Sequence, residues 1–259
     1  MGILKTITEE YFGENVRKED EINIDGLDVE IVSFTDNNKK YHKKGYKPKD
    51  KDNLQELLER MIEMRGDEGD FNDIDTSDIK DMSSLFEANE YMNTKFDQYC
   101  KKFNGDITGW DVSNVTDMCY MFLNAESFNQ PIGNWNVSKV NYMQGMFCEA
   151  TSFNQTIDKW DVSNVEDMYN MFYNATSFNQ PIGKWNVSKV TDMCGMFYYA
   201  ESFNQPIGDW NISNVGNMQY MFHNATSFNQ DLSKWDLNGK KTIHMFKDCP
   251  IKDEYKPKM

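Results

Sequence analysis

The sequence predicts an α/β tandem-repeat solenoid of about seven 25-residue coils, each with a short strand and a short helix, behind a small α+β N-terminal cap. Two observations predict it. All six tryptophans, Trp110, Trp135, Trp160, Trp185, Trp210 and Trp235, stand 25 residues apart, and the segments between them are nearly identical, from WDVSNVTDMCYMFLNAESFNQPIGN to WNISNVGNMQYMFHNATSFNQDLSK. Within a unit, Trp110, Val112, Val115, Met118, Met121, Phe122, Ala125, Phe128 and Ile132 recur at steps of two, three or four, which suits a coil with one interior line of side chains. One unit cannot bury its own apolar face. Stacking supplies the core, with each Trp expected on the next Trp and each Phe on the next Phe.

Taken in order, residues 1–45 lie outside the repeat. EINI and LDVEIVSF flank Asp25 and Gly26, a two-residue hairpin signal, and Leu27, Val29 and Ile31 alternate as in a half-buried strand. The following KKYHKKGYKPKDK, with seven lysines in thirteen residues, reads as a solvated linker rather than a docking patch. Residues 46–70 hold a capping helix: Leu54, Leu57, Leu58, Met61 and Ile62 form one stripe, with Asp52 as cap and Gly66 as stop. The array occupies residues 71–249. It opens with a partial copy, DIDTSDIKDMSSLF, which has Ile74 in the tryptophan place, followed by the insertion EANEYMNTKFDQYCKK before Phe103. It ends in a unit one residue short, WDLNGKKTIHMFKDC, and a polar tail over residues 250–259 closes it.

Inside each unit, Met118, Met121, Phe122 and Ala125 fall at i, i+3, i+4 and i+7, predicting a two-turn helix capped by Thr116 or Ser113. Phe128 through Ile132 to Val137 reads as extended chain with one short strand. The asparagine of each FNQ triplet (Asn104, Asn129, Asn154, Asn179, Asn204, Asn229) is expected to form a side-chain ladder to backbone groups left unpaired by the tight turn. The serine row, Ser113 to Ser213, reads as turn or cap hydroxyls. Units beginning WDVSN alternate with units beginning WNVSK, which avoids a column of like charges.

At these residues the chain resembles the BspA-like leucine-rich repeat proteins, in the branch whose unit reads WDVSNVTDMxxMFxxAxSFNQPI, over roughly residues 46 to 249. The resemblance implies a right-handed leucine-rich-repeat-like solenoid of the kind found in bacterial surface and lipoprotein-type adhesins. It implies no catalytic residues.

Composition narrows the function. A formal charge of −15 opposes binding to nucleic acid phosphates or anionic lipid. No apolar run is long enough for a membrane span, and acidic residues occupy the place of a signal-peptide core, so a cytoplasmic protein is expected, or a surface or secreted one if a leader has been removed. The five cysteines form no CxxC pair, His42, His223 and His244 sit in unrelated surroundings, and no phosphate loop, GxSxG or HExxH occurs. Asp117, Asp167 and Asp192 are explained by a helix start rather than by acid–base work or calcium. No catalytic, metal or cofactor site is therefore expected.

What varies between near-identical units is not dictated by the scaffold. The candidate partner-binding residues lie on and just after the helix: Tyr120, Leu123, Tyr169, Tyr173, Tyr198, Tyr199, Tyr220 and His223. Aromatics in a line along a rod have the composition of an interface, although the same rings could fill gaps between helices. A second candidate face is the loop row Pro131, Asn134, Thr156, Lys159, Pro181, Lys184, Pro206, Asp209. The expected function is a non-enzymatic scaffold that binds a protein, as a monomer or weak oligomer. The alternatives are a surface adhesin or virulence-type protein and a self-assembling structural component.

Overall fold

The computed structural model describes residues 24–35, 42–89 and 94–258. Strand β1 (Val29–Thr35) pairs antiparallel with β2 (His42–Pro48), helix α1 spans Lys51–Arg65, and helix α2 spans Lys95–Lys102. The remainder is a succession of turns, ended by a short 3-10 turn at Asp253–Tyr255.

Those turns are organised by backbone bonds from each unit to the next. In the first full unit, the N–H groups of Met118, Tyr120, Phe122 and Asn124 donate to the carbonyls of Tyr142, Gln144, Met146 and Cys148 at 2.8–3.0 Å. The residues between them, Met121, Leu123 and Ala125, donate three residues back within their own unit. Each later unit repeats this, so half of the segment holds its own turns while the other half holds the neighbouring coil. A row of isolated parallel bridges, Asp81↔Asp117↔Tyr142↔Asp167↔Asp192↔Asn217↔Lys241, runs up the same side.

This arrangement replaces the two-turn helix predicted over residues 116–125. A helix would commit every interior N–H to its own turn. Here Tyr120 and Asn124 have φ of 57° and 58°, and left-handed residues recur at the same two places in every later unit. A left-handed residue every fourth position breaks a right-handed helix and frees alternate N–H groups for the next coil. The short strand predicted between Phe128 and Val137 is also absent, because that segment makes turns and the repeated parallel bridges lie on the Asp117 side.

The side chains stack accordingly. Phe86, Phe122, Phe147, Phe172, Phe197, Phe222 and Phe246 form one column with centroids 5.5–5.8 Å apart. Phe103, Phe128, Phe153, Phe178, Phe203 and Phe228 form a second at 5.9–6.3 Å. The columns touch at 3.9–4.2 Å within each coil. The tryptophans are 3–5% exposed, but their ring contacts are with the first phenylalanine column at 5.9–6.4 Å rather than with each other. Each fully buried phenylalanine contributes about 2–3 kcal/mol relative to exposure.

Polar ladders follow the repeat. The N–H of each FNQ asparagine donates to the side-chain oxygen of the asparagine one coil earlier, from Asn129 on Asn104 to Asn229 on Asn204. The adjacent glutamine amides, Gln130 to Gln230, donate to that same oxygen and to the same residue's carbonyl. The serine row works the other way from expectation: Asp111, Asn136, Asp161, Asn186 and Asn211 accept from the serine N–H two residues on. The alternation of WDVSN and WNVSK units serves hydrogen bonding as well as charge spacing. Lys139 and Lys189 donate to Asn114 and Asn164 of the preceding coils, and Asn164 and Asn214 donate to the Ser138 and Ser188 carbonyls. Likewise Asp117, Asp167 and Asp192 cap no helix; each accepts from the N–H two residues on.

Both ends depart from simple repetition. The turn at Asp25 and Gly26 forms, with Gly26 at φ 83°, but the partner of β1 is the lysine-rich segment read as a linker. EINI falls mostly outside the described residues. Tyr46 of β2 bridges Ile74 of the first coil, so the hairpin continues the stack. Helix α1 buries the predicted stripe, is capped by Asp50 rather than Asp52, and ends at Gly66. Arg65 anchors it by a two-pronged pair with the buried Asp73 at 2.7 Å. The insertion contains α2, opened by a reciprocal Thr94 and Asp97 cap. At the C-terminal end, Lys252 N–H takes the last asparagine oxygen, Asn229, and Leu232 N–H donates to the Tyr255 carbonyl.

Two stability outcomes follow from these roles. Asn179→Ala removes the acceptor for Asn204 N–H and one of the two acceptors for the Gln205 amide and should lower urea-unfolding stability by about 1–3 kcal/mol, whereas Asn179→Asp keeps the acceptor and should lose less than half of that. Equal losses would contradict the ladder role. Glu149 has φ of 60° where neighbouring coils have Asn124 and Asn174, so Glu149→Asn should raise stability by up to about 1 kcal/mol, measured the same way.

Candidate functional site

The variable residues occupy the outer side of the turn column, and the coil geometry decides which of them meet. Offsets of 25 residues place Leu123, Cys148, Tyr173, Tyr198 and His223 in one row and Asn124, Glu149, Asn174, Tyr199 and Asn224 in the next. Aromatic residues concentrate in the later coils. Tyr198 lies at the centre: it meets Tyr173 edge-on at 5.0 Å and stacks on Tyr199 at 4.5 Å, His223 at 4.7 Å and Tyr220 at 5.9 Å. His244 extends the cluster, 5.4 Å from Tyr220 and 6.2 Å from His223.

Of the sequence candidates, the structure therefore brings together Tyr173, Tyr198, Tyr199, Tyr220 and His223. Tyr120, Leu123 and Tyr169 stand apart from this cluster. The Tyr120 ring lies over Gly145 of the next coil, where a Cβ would collide with it, and Asn170 fills the equivalent space over Gly195. Glycine at those left-handed positions thus makes room for a side chain from the coil below. Tyr169 is 39% exposed and Tyr199 36% exposed. His244 was missed, and the reading of His223 and His244 as unrelated is corrected. The signal was available: aligning the shortened last unit puts His244 under Tyr220.

The cluster has its own electrostatics. His223 is 7% exposed, its Nδ1 is buried without a hydrogen-bond partner, and its Nε2 is 3.6 Å from Asp248. Burial, aided by Lys247 and His244, holds its pKa below the ordinary histidine value, with Asp248 opposing. Burial raises the phenols of Tyr173 and Tyr198, the latter also through its contact with Tyr199. These directions keep His223, Tyr173 and Tyr198 uncharged near pH 7.

Elsewhere, the loop row lines an open groove of about 560 Å³ between Pro181, Lys184, Pro206, Asp209 and Lys234, across which Lys234 pairs with Asp209 at 2.7 Å. The five cysteines are unpaired, and burial pushes Cys148 up to about 12 and Cys100 and Cys119 upward as well, so these thiols stay protonated and poorly nucleophilic. Among the described residues no group of His, Cys, Asp and Glu is arranged to hold a metal ion, and no helix is long and apolar enough to cross a membrane.

Because His223 is held neutral in the folded protein but protonates more readily when unfolded, the unfolded state binds the extra proton as pH falls below about 6.5. His223 therefore contributes stability above that pH that is lost on acidification. A His223→Phe variant should show a shallower fall in melting temperature between pH 7 and pH 5 than the parent; an unchanged slope would contradict a depressed pKa.

No curated protein matches the chain, and no solved structure matches it. One family matches twice in tandem, over residues 52–175 and 154–255, a span that runs from α1 through every full coil to the 3-10 turn. The chain is a tandem-repeat protein, and it belongs to the family described as Mycoplasma protein of unknown function, DUF285.

Proposed function

We propose that the chain is a non-enzymatic scaffold that binds a protein partner through the aromatic face of its later coils. The observation that carries this reading is the cluster of Tyr173, Tyr198, Tyr199, Tyr220, His223 and His244, which is already packed ring on ring. Tyrosines fixed by their neighbours lose little entropy on binding and present a large amphipathic surface, the property of interface hot spots. The backbone of Tyr173, Tyr198, Tyr199, Tyr220 and His223 takes part in coil-to-coil bonds, which keeps these rings in register. The protonated state of the buried thiols weighs against a cysteine nucleophile.

Within this reading the stack is a right-handed solenoid of leucine-rich-repeat type, and the BspA-like pattern of the repeats supports it.

The test uses Tyr199 of the cluster and Tyr169, a sequence candidate outside it, both exposed so that truncation removes surface rather than core. Immobilised parent chain and a Tyr169→Ser/Tyr199→Ser variant are compared for proteins retained from the native source, identified by mass spectrometry. A protein held by the parent and weakened at least about tenfold by the variant, with the melting curve unchanged, is the expected result. Identical retention by both, or none by the parent, would count against the aromatic face.

A further inference from the structure

We propose that the C-terminal end of the stack is a docking edge for an acidic extended peptide. In each full coil four N–H groups, those at the places of Met118, Tyr120, Phe122 and Asn124, donate to carbonyls of the coil that follows. In the last coil these places are filled by Thr242, His244, Phe246 and Asp248. Their N–H groups have no acceptor among the described residues, although the carbonyls of Lys241, Ile243, Met245 and Lys247 receive the bonds from the coil before. The tail continues this coil rather than covering it, since Lys252 and Tyr255 bond Asn229 and Leu232 of the coil before. An unpaired row of backbone donors at the end of a ladder is a template for another chain's carbonyls.

The side chains around this row specify the occupant. Ile243 is 56% exposed, and Phe246 is half-buried, with one face on Phe222. They offer apolar contact to an incoming chain. Lys241 and Lys247 are exposed at the row, and between residues 239 and 258 there are six lysines against three carboxylates, a local reversal of sign in a chain of net charge −15. Donor groups and lysines together call for carbonyls flanked by carboxylates. A second copy is a poor occupant. Its matching carbonyls would be those of the first coil, and that end is covered by α1, with Lys51 bound to Ser83 and near Asp81.

The test is fluorescence anisotropy with a labelled octapeptide of alternating valine and glutamate, beside its valine–lysine counterpart, together with amide hydrogen exchange on the full chain. The acidic peptide should bind and the basic one should not. Exchange at His244 and Phe246 should slow on binding. Lys241→Glu/Lys247→Glu should weaken binding by about tenfold or more. Tyr169→Ser/Tyr199→Ser should leave it unchanged, which separates this edge from the aromatic face. Failure of the acidic peptide to bind, equal binding of both peptides, or binding with exchange at His244 and Phe246 unaltered would overturn the proposal. So would concentration-dependent oligomers of the parent chain that Lys241→Glu/Lys247→Glu abolishes, since they would give the edge to a second copy.

Discussion

Alternate residues of the turn column spend their N–H groups on the neighbouring coil, and nearly every other feature of the chain is a consequence of that division. The donors can face the next coil only because a left-handed residue recurs every fourth position. The same repeat distance brings phenylalanines into two continuous columns and carries each FNQ asparagine oxygen to the next backbone N–H. Neither the ring columns nor the asparagine ladder exists within a single unit. Stability therefore resides between coils, as expected of quasi-one-dimensional repeats.

Much of this was legible in the sequence, and the failures have definite causes. The interior line from Trp110 to Ile132, the asparagine ladder and the stripe of α1 could be read from periodicity because burial and ladder contacts repeat with the unit. The helix could not be separated from the turn column by periodicity alone: Met118, Met121, Phe122 and Ala125 point inward in both. What distinguishes them is Gly145, Gly195, Asn124, Asn170 and Asn174 in the outer rows, residue types that tolerate a left-handed backbone. Strand β2 was hidden by its lysines, since Tyr46 alone marks the side that meets the first coil. The tryptophans do not appear as a ring column, because each indole instead meets the phenylalanine thirteen residues before it, a contact that spacing alone does not mark.

The aromatic candidates were legible as a set but not as a cluster. Variation between units singled them out, while only the stacking of rows shows that Tyr198 touches four of its neighbours and that Tyr169 touches none of those rings. His223 became part of the cluster through burial, which sequence does not record. The unpaired donors at Thr242, His244, Phe246 and Asp248 were likewise invisible, because they arise from where the coil-to-coil pattern stops rather than from any motif.

Amide hydrogen exchange reads the coil-to-coil bonds directly. Phe122, Phe147, Phe172, Phe197, Phe222 and Phe246 hold the same place in successive coils, and all but the last donate to a following coil. If those bonds hold the stack, exchange is slow and governed by global unfolding at the first five, and fast at Phe246 in the unbound chain. Equal protection at all six, or fast exchange at Phe147 and Phe172 in the middle of the stack, would contradict it.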